Sequence, residues 1–108
     1  MIKSELIAAI AQAQTNIPER DIAASVNLII ENMSQILGNG ERIEVRGFGS
    51  FSLHYRPPRN AHNPKTGERV ITQGKYSPHF KPGKELRQKV DDSAKAGVAI
   101  RLDDETEE

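Results

Sequence analysis

The middle of the chain contains a segment, residues 56–75, that has almost nothing with which to build a hydrophobic core. It holds three prolines and five basic residues, and its only large apolar side chains are Val70 and Ile71. A segment of this composition does not fold alone, so it must project from a body built elsewhere. Turn signals at Asn63-Pro64 and Thr66-Gly67 separate two stretches that can extend. The sequence therefore predicts a two-stranded β-ribbon, with strands of about eight residues that project roughly 25 Å.

Apolar residues at helical spacing precede this segment and predict the helices of the body. Leu6, Ile7 and Ile10 predict a short amphipathic helix over residues 3–14. A second helix begins near Pro18, which suits a first helical turn, and ends at Gly38-Asn39-Gly40. Its apolar stripe consists of Ile22, Val26, Ile29, Met33 and Ile36. Leu28 and Ile30 widen the stripe beyond what one small sheet can cover, so we expect a helix of a second chain to cover the rest.

Alternating side chains next to the segment predict strands. Ile43 and Val45 form one face of a strand, and the outward face is charged, with Arg42, Glu44 and Arg46. Gly47-Phe48-Gly49 breaks this strand, and the alternation resumes as in a hairpin, with Phe51, Leu53 and Tyr55. After the ribbon, Tyr76 and Phe80 return to the core. Pro82, in a first-turn position, is expected to open a last helix through Leu86 and Val90.

Residues 92–108 follow as an acidic stretch with little pattern. Blocks of like charge are usually solvated, so we expect a disordered, solubilising tail beyond the domain of residues 1–91. A sharper hypothesis is that the five acidic residues between positions 103 and 108 compete with phosphate for a basic surface.

The formal net charge of zero hides a strong asymmetry along the chain. Residues 42–89 carry eleven basic and three acidic side chains, a net charge of +8, whereas residues 1–41 carry −3 and residues 90–108 carry −5. A basic field of this strength suits a polyanion. The middle of the chain is therefore predicted to bind nucleic acid.

A proline near the tip of a basic ribbon can act as a wedge on DNA. Basic side chains along the two strands can neutralise phosphates, while an apolar ring unstacks a base step. The basic residues are Arg56, Arg59, Lys65, Arg69 and Lys75. In isolation Pro64 would only shape a turn, but this basic setting favours a wedge.

The sequence offers little chemistry for catalysis or for a metal site. The chain has no cysteine, and His54, His62 and His79 lack ligand spacing. Ser50 and Ser52 near His54 suggest a nucleophile and a base, but neighbouring strand residues face opposite ways and no acid orients them. There is no apolar run of about 18 residues and no leader pattern. We expect a cytoplasmic protein that is not an enzyme and uses no metal, cofactor, membrane or small-molecule substrate.

Several residues, at a characteristic spacing along the chain, resemble the signature of a known family, the bacterial histone-like HU and integration host factor proteins. The resemblance covers roughly the first ninety residues, and its signature is Gly47-Phe48, Phe51, Arg56, Arg59, Ala61, Asn63-Pro64 and Thr66. Residues 42–56 and 78–87 look like the beta-subunit branch of integration host factor rather than HU.

The resemblance implies an α+β fold and an intertwined dimer. Its parts are two N-terminal helices, a three-stranded antiparallel sheet extended into a long β-ribbon arm, and a short C-terminal helix. The second chain would be an alpha subunit of integration host factor, with a homodimer also possible. The arms would lie in the minor groove of double-stranded DNA, where Pro64 enters a base step.

The resemblance also implies roles for individual residues. Arg46 would enter the minor groove, Glu44 would help to select the binding site, and phosphates would be held by Lys3, Lys81 and Lys84. His62 stands where the family usually has arginine, so we expect a weaker or pH-dependent contact there. The complete set of predicted DNA-binding residues is Lys3, Arg42, Glu44, Arg46, Arg56, Arg59, His62, Asn63, Pro64, Lys65, Arg69, Lys75, Lys81 and Lys84.

The function implied is that of an architectural protein of the nucleoid, which bends DNA during recombination, transcription and replication. Two alternatives remain open. The first is an HU-like homodimer that compacts DNA with little sequence preference. The second is an RNA-binding or protein-docking module, for which duplex DNA would compete poorly.

Overall fold

A computed structural model describes residues 1–101 of the chain. These residues separate into two units, one comprising residues 1–41 and the other beginning at Arg42. The acidic cluster expected to form a solvated or competing tail, residues 103–108, lies outside the described residues, so both hypotheses about it stay predictions.

The first unit consists of two helices that contact each other, α1 (Lys3–Ala13) and α2 (Glu19–Gly38). The Ile2 amide donates a hydrogen bond to Glu5 Oε1 (3.0 Å) at the start of α1. At the end of α2, Gly40 has a φ of 85°, and its N–H donates to the carbonyl oxygen of Leu37. This arrangement ends a helix at a residue without a side chain. The observed ends of both helices lie within one residue of the ends predicted from the sequence, and the two predicted helices are thereby confirmed.

Burial in the first unit is sparse. Ile7 and Ile22 are the two apolar side chains that are buried within residues 1–101. On α2, Leu28 and Ile29 are each 59% exposed, and Ile30 is 45% exposed. Apolar area exposed on this scale is costly in water, which agrees with the expectation that a second chain covers the stripe of α2.

The second unit is an antiparallel sheet with an arm and a helix. Its elements are β1 (Ile43–Val45), β2 (Gly49–Arg56), β3 (Arg59–His62), β4 (Arg69–Thr72), β5 (Lys75–Pro82) and α3 (Lys84–Lys95). The sheet order is β1-β2-β5, and β3 pairs with β4 in a separate ribbon. The α+β class, the hairpin and the ribbon arm predicted from the sequence are thereby confirmed.

The register gives the sheet one apolar and one polar face. Phe51 lies opposite both Ile43 and Phe80, and the rings of Phe51 and Phe80 are 4.8 Å apart between centroids. Phe48 adds a third ring, 5.3 Å from that of Phe80. This aromatic cluster is the centre of the apolar face and holds β5 against the hairpin.

Ser50, Ser52 and His54 all lie on the polar face, and the expectation that these residues face opposite ways was therefore wrong. They are two residues apart along β2, and alternation places every second residue on the same side of a strand. The apolar residues between them occupy the other face.

The arm is shorter and more broken than the sequence indicated. β3 and β4 contain four residues each, rather than about eight, because Pro57-Pro58 and Gln73-Gly74 interrupt both strands at the same level. Proline has no N–H to donate to a ladder. On the other strand, a Cβ at Gly74 would overlap the hydroxyl of Tyr55, so a larger residue at this position would have to displace the Tyr55 ring. The arm is thus a distinct ribbon joined to the sheet through a hinge-like break.

The last helix differs from the expectation at both ends. Pro82 does not open it, because Pro82 pairs with Gly49 as the last residue of β5 and the helix starts at Lys84. It runs to Lys95, four residues past the predicted end of the domain at residue 91. Lys95 Nζ lies 3.1 Å from Asp91 Oδ2 one turn earlier, and this i,i+4 pair supports the added turn.

Gly97 ends α3 in the same way that Gly40 ends α2. Its φ is 88°, and the next amide, that of Val98, donates to the carbonyl oxygen of Ser93 (3.1 Å). A Gly-based stop of this kind satisfies the last carbonyl groups of a helix. The part of the predicted disordered tail before this stop is therefore helical.

Gly49→Ala should destabilise the sheet. A Cβ at Gly49 would lie 2.6 Å from the Lys81 carbonyl oxygen and 2.7 Å from the Phe80 ring, and the carbonyl belongs to the backbone, which cannot swing aside. We expect the free energy of unfolding to fall by about 1 to 3 kcal/mol, as overpacked sites do. Urea unfolding at fixed protein concentration measures the change.

Gly38→Ala is the matched control for this test. A Cβ there meets nothing within 4 Å, and Gly38 is the last residue of α2, where alanine is the better helix former. We expect its urea midpoint to stay within experimental error of the original or to rise. Equal midpoints for Gly49→Ala and the unchanged chain would contradict the packing described around Gly49.

Candidate nucleic-acid interface

The polar face of the sheet is the first part of the candidate interface. It carries Glu44, Ser50, Ser52, His54, Arg56, Lys75, Ser77, His79 and Lys81, and we call it the polar sheet face. The register places Arg56 opposite Lys75 at one end and Ser50 opposite Lys81 at the other. From Ser50 to Arg56 the strand covers about 20 Å. The face thus has cations at both ends and hydrogen-bonding side chains between them.

A hydroxyl contact positions the cation at the arm end of this face. Arg56 Nε donates a hydrogen bond to Ser77 Oγ (2.9 Å) across β2 and β5. This bond keeps the guanidinium over the sheet, and its other N–H groups stay available to a phosphate.

A group of cations lies at the opposite end, where the β1-β2 hairpin meets α3. Arg46, Lys81, Lys84 and Arg87 line one surface depression together with Glu44. Arg46 opens the hairpin turn, which Gly47 allows by adopting a φ of 85°. Arg87 is not among the DNA-binding residues predicted from the sequence, although its position one turn after Lys84 on a helix places both side chains on one side.

The start of α3 gives this depression a second attraction for anions. Lys84 is the first residue of the helix, where free N–H groups carry a partial positive charge. A cation at that point is unfavourable for the isolated helix. An oxyanion bound between the amides and Lys84 would offset this cost, as phosphates at helix N-termini do.

Glu44 and Arg42 stand at the edge of the polar sheet face. The carboxylate of Glu44 lies 3.9 Å from Arg42 Nη2, and both side chains are exposed. An exposed pair at this distance contributes little to stability. Glu44 is therefore an acidic group beside a basic surface without a strong structural reason for its charge.

The arm presents basic side chains on both of its faces. His62 lies opposite Arg69 on one face, and Arg59 lies opposite Thr72 on the other. The Thr72 hydroxyl donates to the Arg59 carbonyl oxygen (3.0 Å), which fixes the backbone at the base of the ribbon. A ribbon with cations on both faces can contact both walls of a groove.

The tip of the arm is a turn built on Asn63. Its side-chain Oδ1 accepts from the Lys65 N–H (2.8 Å), and its carbonyl oxygen accepts from the Gly67 N–H (2.7 Å). Gly67 has a φ of 75°, which favours glycine. Pro64 is exposed at the outermost point of this turn. Asn63, predicted to bind DNA, is thus a residue that shapes the tip and presents the ring of Pro64.

The base of the arm gathers three further predicted residues. Arg56, Arg59 and Lys75 line one hollow, together with Tyr55 and other side chains around the break in the strands. Their charges add to those of the polar sheet face, so the basic surface continues from the sheet onto the arm.

Lys3 belongs to the first unit and is described separately. It is the first residue of α1, and its Nζ donates to Asn27 Oδ1 on α2 (2.7 Å). The neutral amide leaves the ammonium charge uncompensated, so Lys3 remains suited to a phosphate.

The pairing of charges in residues 1–101 leaves the basic surface uncompensated. Ion pairs within 4 Å form between Arg20 and Asp21, between Arg42 and Glu44, and between Lys95 and Asp91. Apart from Arg42, the predicted DNA-binding cations take part in none of these pairs. Cations without acidic partners are free to neutralise phosphates.

No three histidine or acidic side chains among residues 1–101 come close enough to share a metal ion. No helix in that range combines the length and the apolar character needed to cross a bilayer.

Proteins of other bacteria are similar in sequence to most of this chain. A family model for bacterial DNA-binding proteins matches residues 1–91. The integration host factor subunit beta of Teredinibacter turnerae is 61% identical over 93 residues, which are 86% of this chain and 95% of the relative. The subunit beta of Hahella chejuensis is 61% identical over 97 residues, which are 90% of this chain and 99% of the relative.

Solved structures match the fold at lower identity. The Anabaena HU-DNA cocrystal structure superposes with a TM-score of 0.77 at 31% identity, over 83% of this chain and 97% of that chain. HU from Thermotoga maritima superposes with a TM-score of 0.57 at 29% identity, over 83% and 98% of the two chains. The chain therefore belongs to the bacterial DNA-binding protein family of HU and integration host factor, in the branch of the integration host factor beta subunits.

Proposed function

We propose that this chain is one subunit of an architectural dimer that binds double-stranded DNA and bends it. The observation that carries the proposal is the run of uncompensated cations from the Arg46 and Lys84 depression across the polar sheet face to the arm, ending at the exposed ring of Pro64. A continuous basic path ending in an apolar wedge suits a bent duplex better than a straight one.

The bend would result from two linked contacts. Phosphates held on the polar sheet face draw the duplex against the body, while the arm follows the minor groove and Pro64 unstacks one base step. Bending a short duplex costs on the order of 1 to 6 kcal/mol, and contacts that form only in the bent state offset that cost. Each arm of a dimer would supply one wedge.

The second subunit would be an alpha-type chain of integration host factor. The exposed apolar residues of α2 support association, because Leu28, Ile29 and Ile30 lie uncovered in a single chain. The relatives are named as beta subunits, and a beta subunit implies a different partner. We place the dimer in the nucleoid, where it would act in recombination, transcription and replication.

Competition binding tests this proposal. The full-length chain, with and without an alpha-type partner, is mixed with a labelled duplex and challenged with unlabelled duplex DNA or RNA of equal length. We expect duplex DNA to compete well, RNA to compete poorly, and the partner to raise discrimination between preferred and random sites. Equal affinity for all DNA sequences with or without the partner would instead support HU-like compaction, and effective competition by RNA would overturn the DNA function.

Glu44→Ala should relax the choice of site more than it changes affinity for random DNA. A carboxylate next to phosphates adds repulsion, so its presence on a basic surface is best explained by selection among base sequences. Arg46→Ala is the matched comparison, since removing this cation should weaken binding to every duplex. Affinities for a selected and a random duplex give the ratio. An unchanged ratio in Glu44→Ala would make Glu44 a solvated strand residue.

A further inference from the structure

Two histidines stack on the polar sheet face. The rings of His54 and His79 lie 4.1 Å apart between centroids, with their planes only 14° from parallel. They are diagonal neighbours on β2 and β5, because His54 pairs with Ser77 and His79 pairs with Ser52. Both side chains are exposed, so the requirements of the core do not explain the stack. Neither histidine is among the functional residues predicted from the sequence.

The charged groups around the pair are nearly all basic. On the same strands, Arg56 and Lys75 lie toward the arm and Lys81 lies toward the hairpin. Beyond Lys81, the cations Arg46, Lys84 and Arg87 line the depression described above, and the serines of the face are neutral. Glu44 of β1 is the acidic group on this face, and it lies opposite Ser50 at the far end from Arg56.

Bound DNA would place phosphates against this basic surface. Phosphates along the polar sheet face would neutralise the surrounding cations and favour a charged imidazole. If both rings were protonated at this separation, their positive charges would repel each other. The favourable state is therefore a single positive charge shared by the two stacked rings. Histidine is the side chain that can gain such a charge near neutral pH.

We propose that the stacked His54 and His79 pair is a phosphate contact that takes up a proton when DNA binds. This inference rests on the proposed function, and it adds a regulatory property: affinity for duplex DNA rises as the pH falls. Uptake of one proton gives at most about a tenfold change in affinity for each pH unit, and histidine chemistry places the change between about pH 5 and 8.

The test combines the pH dependence of affinity with calorimetry. The full-length chain and its partner subunit are titrated with one DNA duplex between about pH 6 and 8, in two buffers that differ in ionisation enthalpy. A difference in apparent binding enthalpy between the buffers measures the protons taken up. We expect uptake by the unchanged protein, a smaller uptake in His54→Gln and His79→Gln, and loss of the pair's contribution in the double variant.

His62→Gln is the comparison variant for proton uptake. It removes the remaining histidine of the chain, which lies on the arm, and leaves the stack of His54 and His79 intact. The pair's contribution to uptake should persist in it. Histidine ring signals followed by NMR in the free and the bound protein provide a second measurement that needs no substitution, and His54 and His79 should titrate at higher pH in the complex.

The possible failures are distinguishable. Absence of duplex binding at any pH would overturn the proposed function itself. Duplex binding with the same proton uptake in the double variant as in the unchanged protein, or with ring signals of the pair that titrate identically in both states, would overturn the inference and leave the DNA function in place.

Discussion

Replacing Pro64 with alanine should greatly reduce the bend in bound DNA while leaving most of the affinity in place. The phosphate contacts of the polar sheet face and of the arm cations do not involve the ring, so they would persist. The ring alone supplies the apolar surface that can replace base stacking at the tip. The Asn63 turn that carries this position is held by the amides of Lys65 and Gly67, so alanine should not unfold the tip.

Circular-permutation gels measure this effect, since they separate bend from affinity. Pro78→Ala is a suitable control, because Pro78 lies opposite Leu53 within the sheet and far from the tip along the strands. We expect the control complex to keep its full bend. A bend that is identical in Pro64→Ala and the unchanged protein would rule out the wedge.

The joint change of Lys81, Lys84 and Arg87 to alanine should weaken binding to all sequences and flatten its dependence on salt. These residues line one depression and make no ion pair with acids within residues 1–101. Each neutralised phosphate contributes about 0.9 to the slope of log affinity against log salt concentration. Loss of three contacts should therefore lower a slope of several units by roughly two to three.

Lys95→Ala is the matched control for this prediction. Lys95 is a cation on the same helix, but its ammonium lies 3.1 Å from Asp91, so its charge is already compensated. The slope of log affinity against log salt concentration for Lys95→Ala should equal that of the unchanged protein. If the control lost as much slope as the triple variant, net charge rather than the depression would determine affinity.

Much of the fold follows from patterns that act locally along the chain. Apolar spacing predicts both N-terminal helices, and alternation predicts β1 and β2, because each pattern reports which side of an element is buried. The arm follows from composition, since residues 56–75 cannot form a core. Its tip follows from the turn chemistry of Asn63 and Gly67.

The features that the sequence did not predict depend on contacts between distant residues. At the break at the base of the arm, Gly74 lies against the ring of Tyr55, nineteen positions earlier in the chain. Pro82 is drawn into a strand by its pairing with Gly49, which overrides its preference for a helix start. The last turn of α3 lies in a polar sequence with no apolar pattern to predict it, and the exposed ion pair of Asp91 and Lys95 adds only a little to its stability.

The candidate interface shows the same division. Clustering of basic residues along the sequence identified the arm, whereas the stack of His54 on His79 follows from the register of β2 with β5, and the place of Arg87 in one depression with Arg46 follows from the position of α3. A charge count cannot show which cations lack acidic partners. Within residues 1–101 the three-dimensional arrangement does, and there the basic surface is continuous from the sheet to the arm.

Energy transfer between dyes at the two ends of a DNA duplex of about three helical turns, roughly 30 bp, reports bending by the protein in solution. The full-length chain with its partner subunit is added until all of the duplex is bound. The ends should approach each other, so that transfer rises well above that of free DNA, and the rise should be smaller with Pro64→Ala. A fully bound duplex whose energy transfer equals that of free DNA would contradict the proposal that this chain bends DNA.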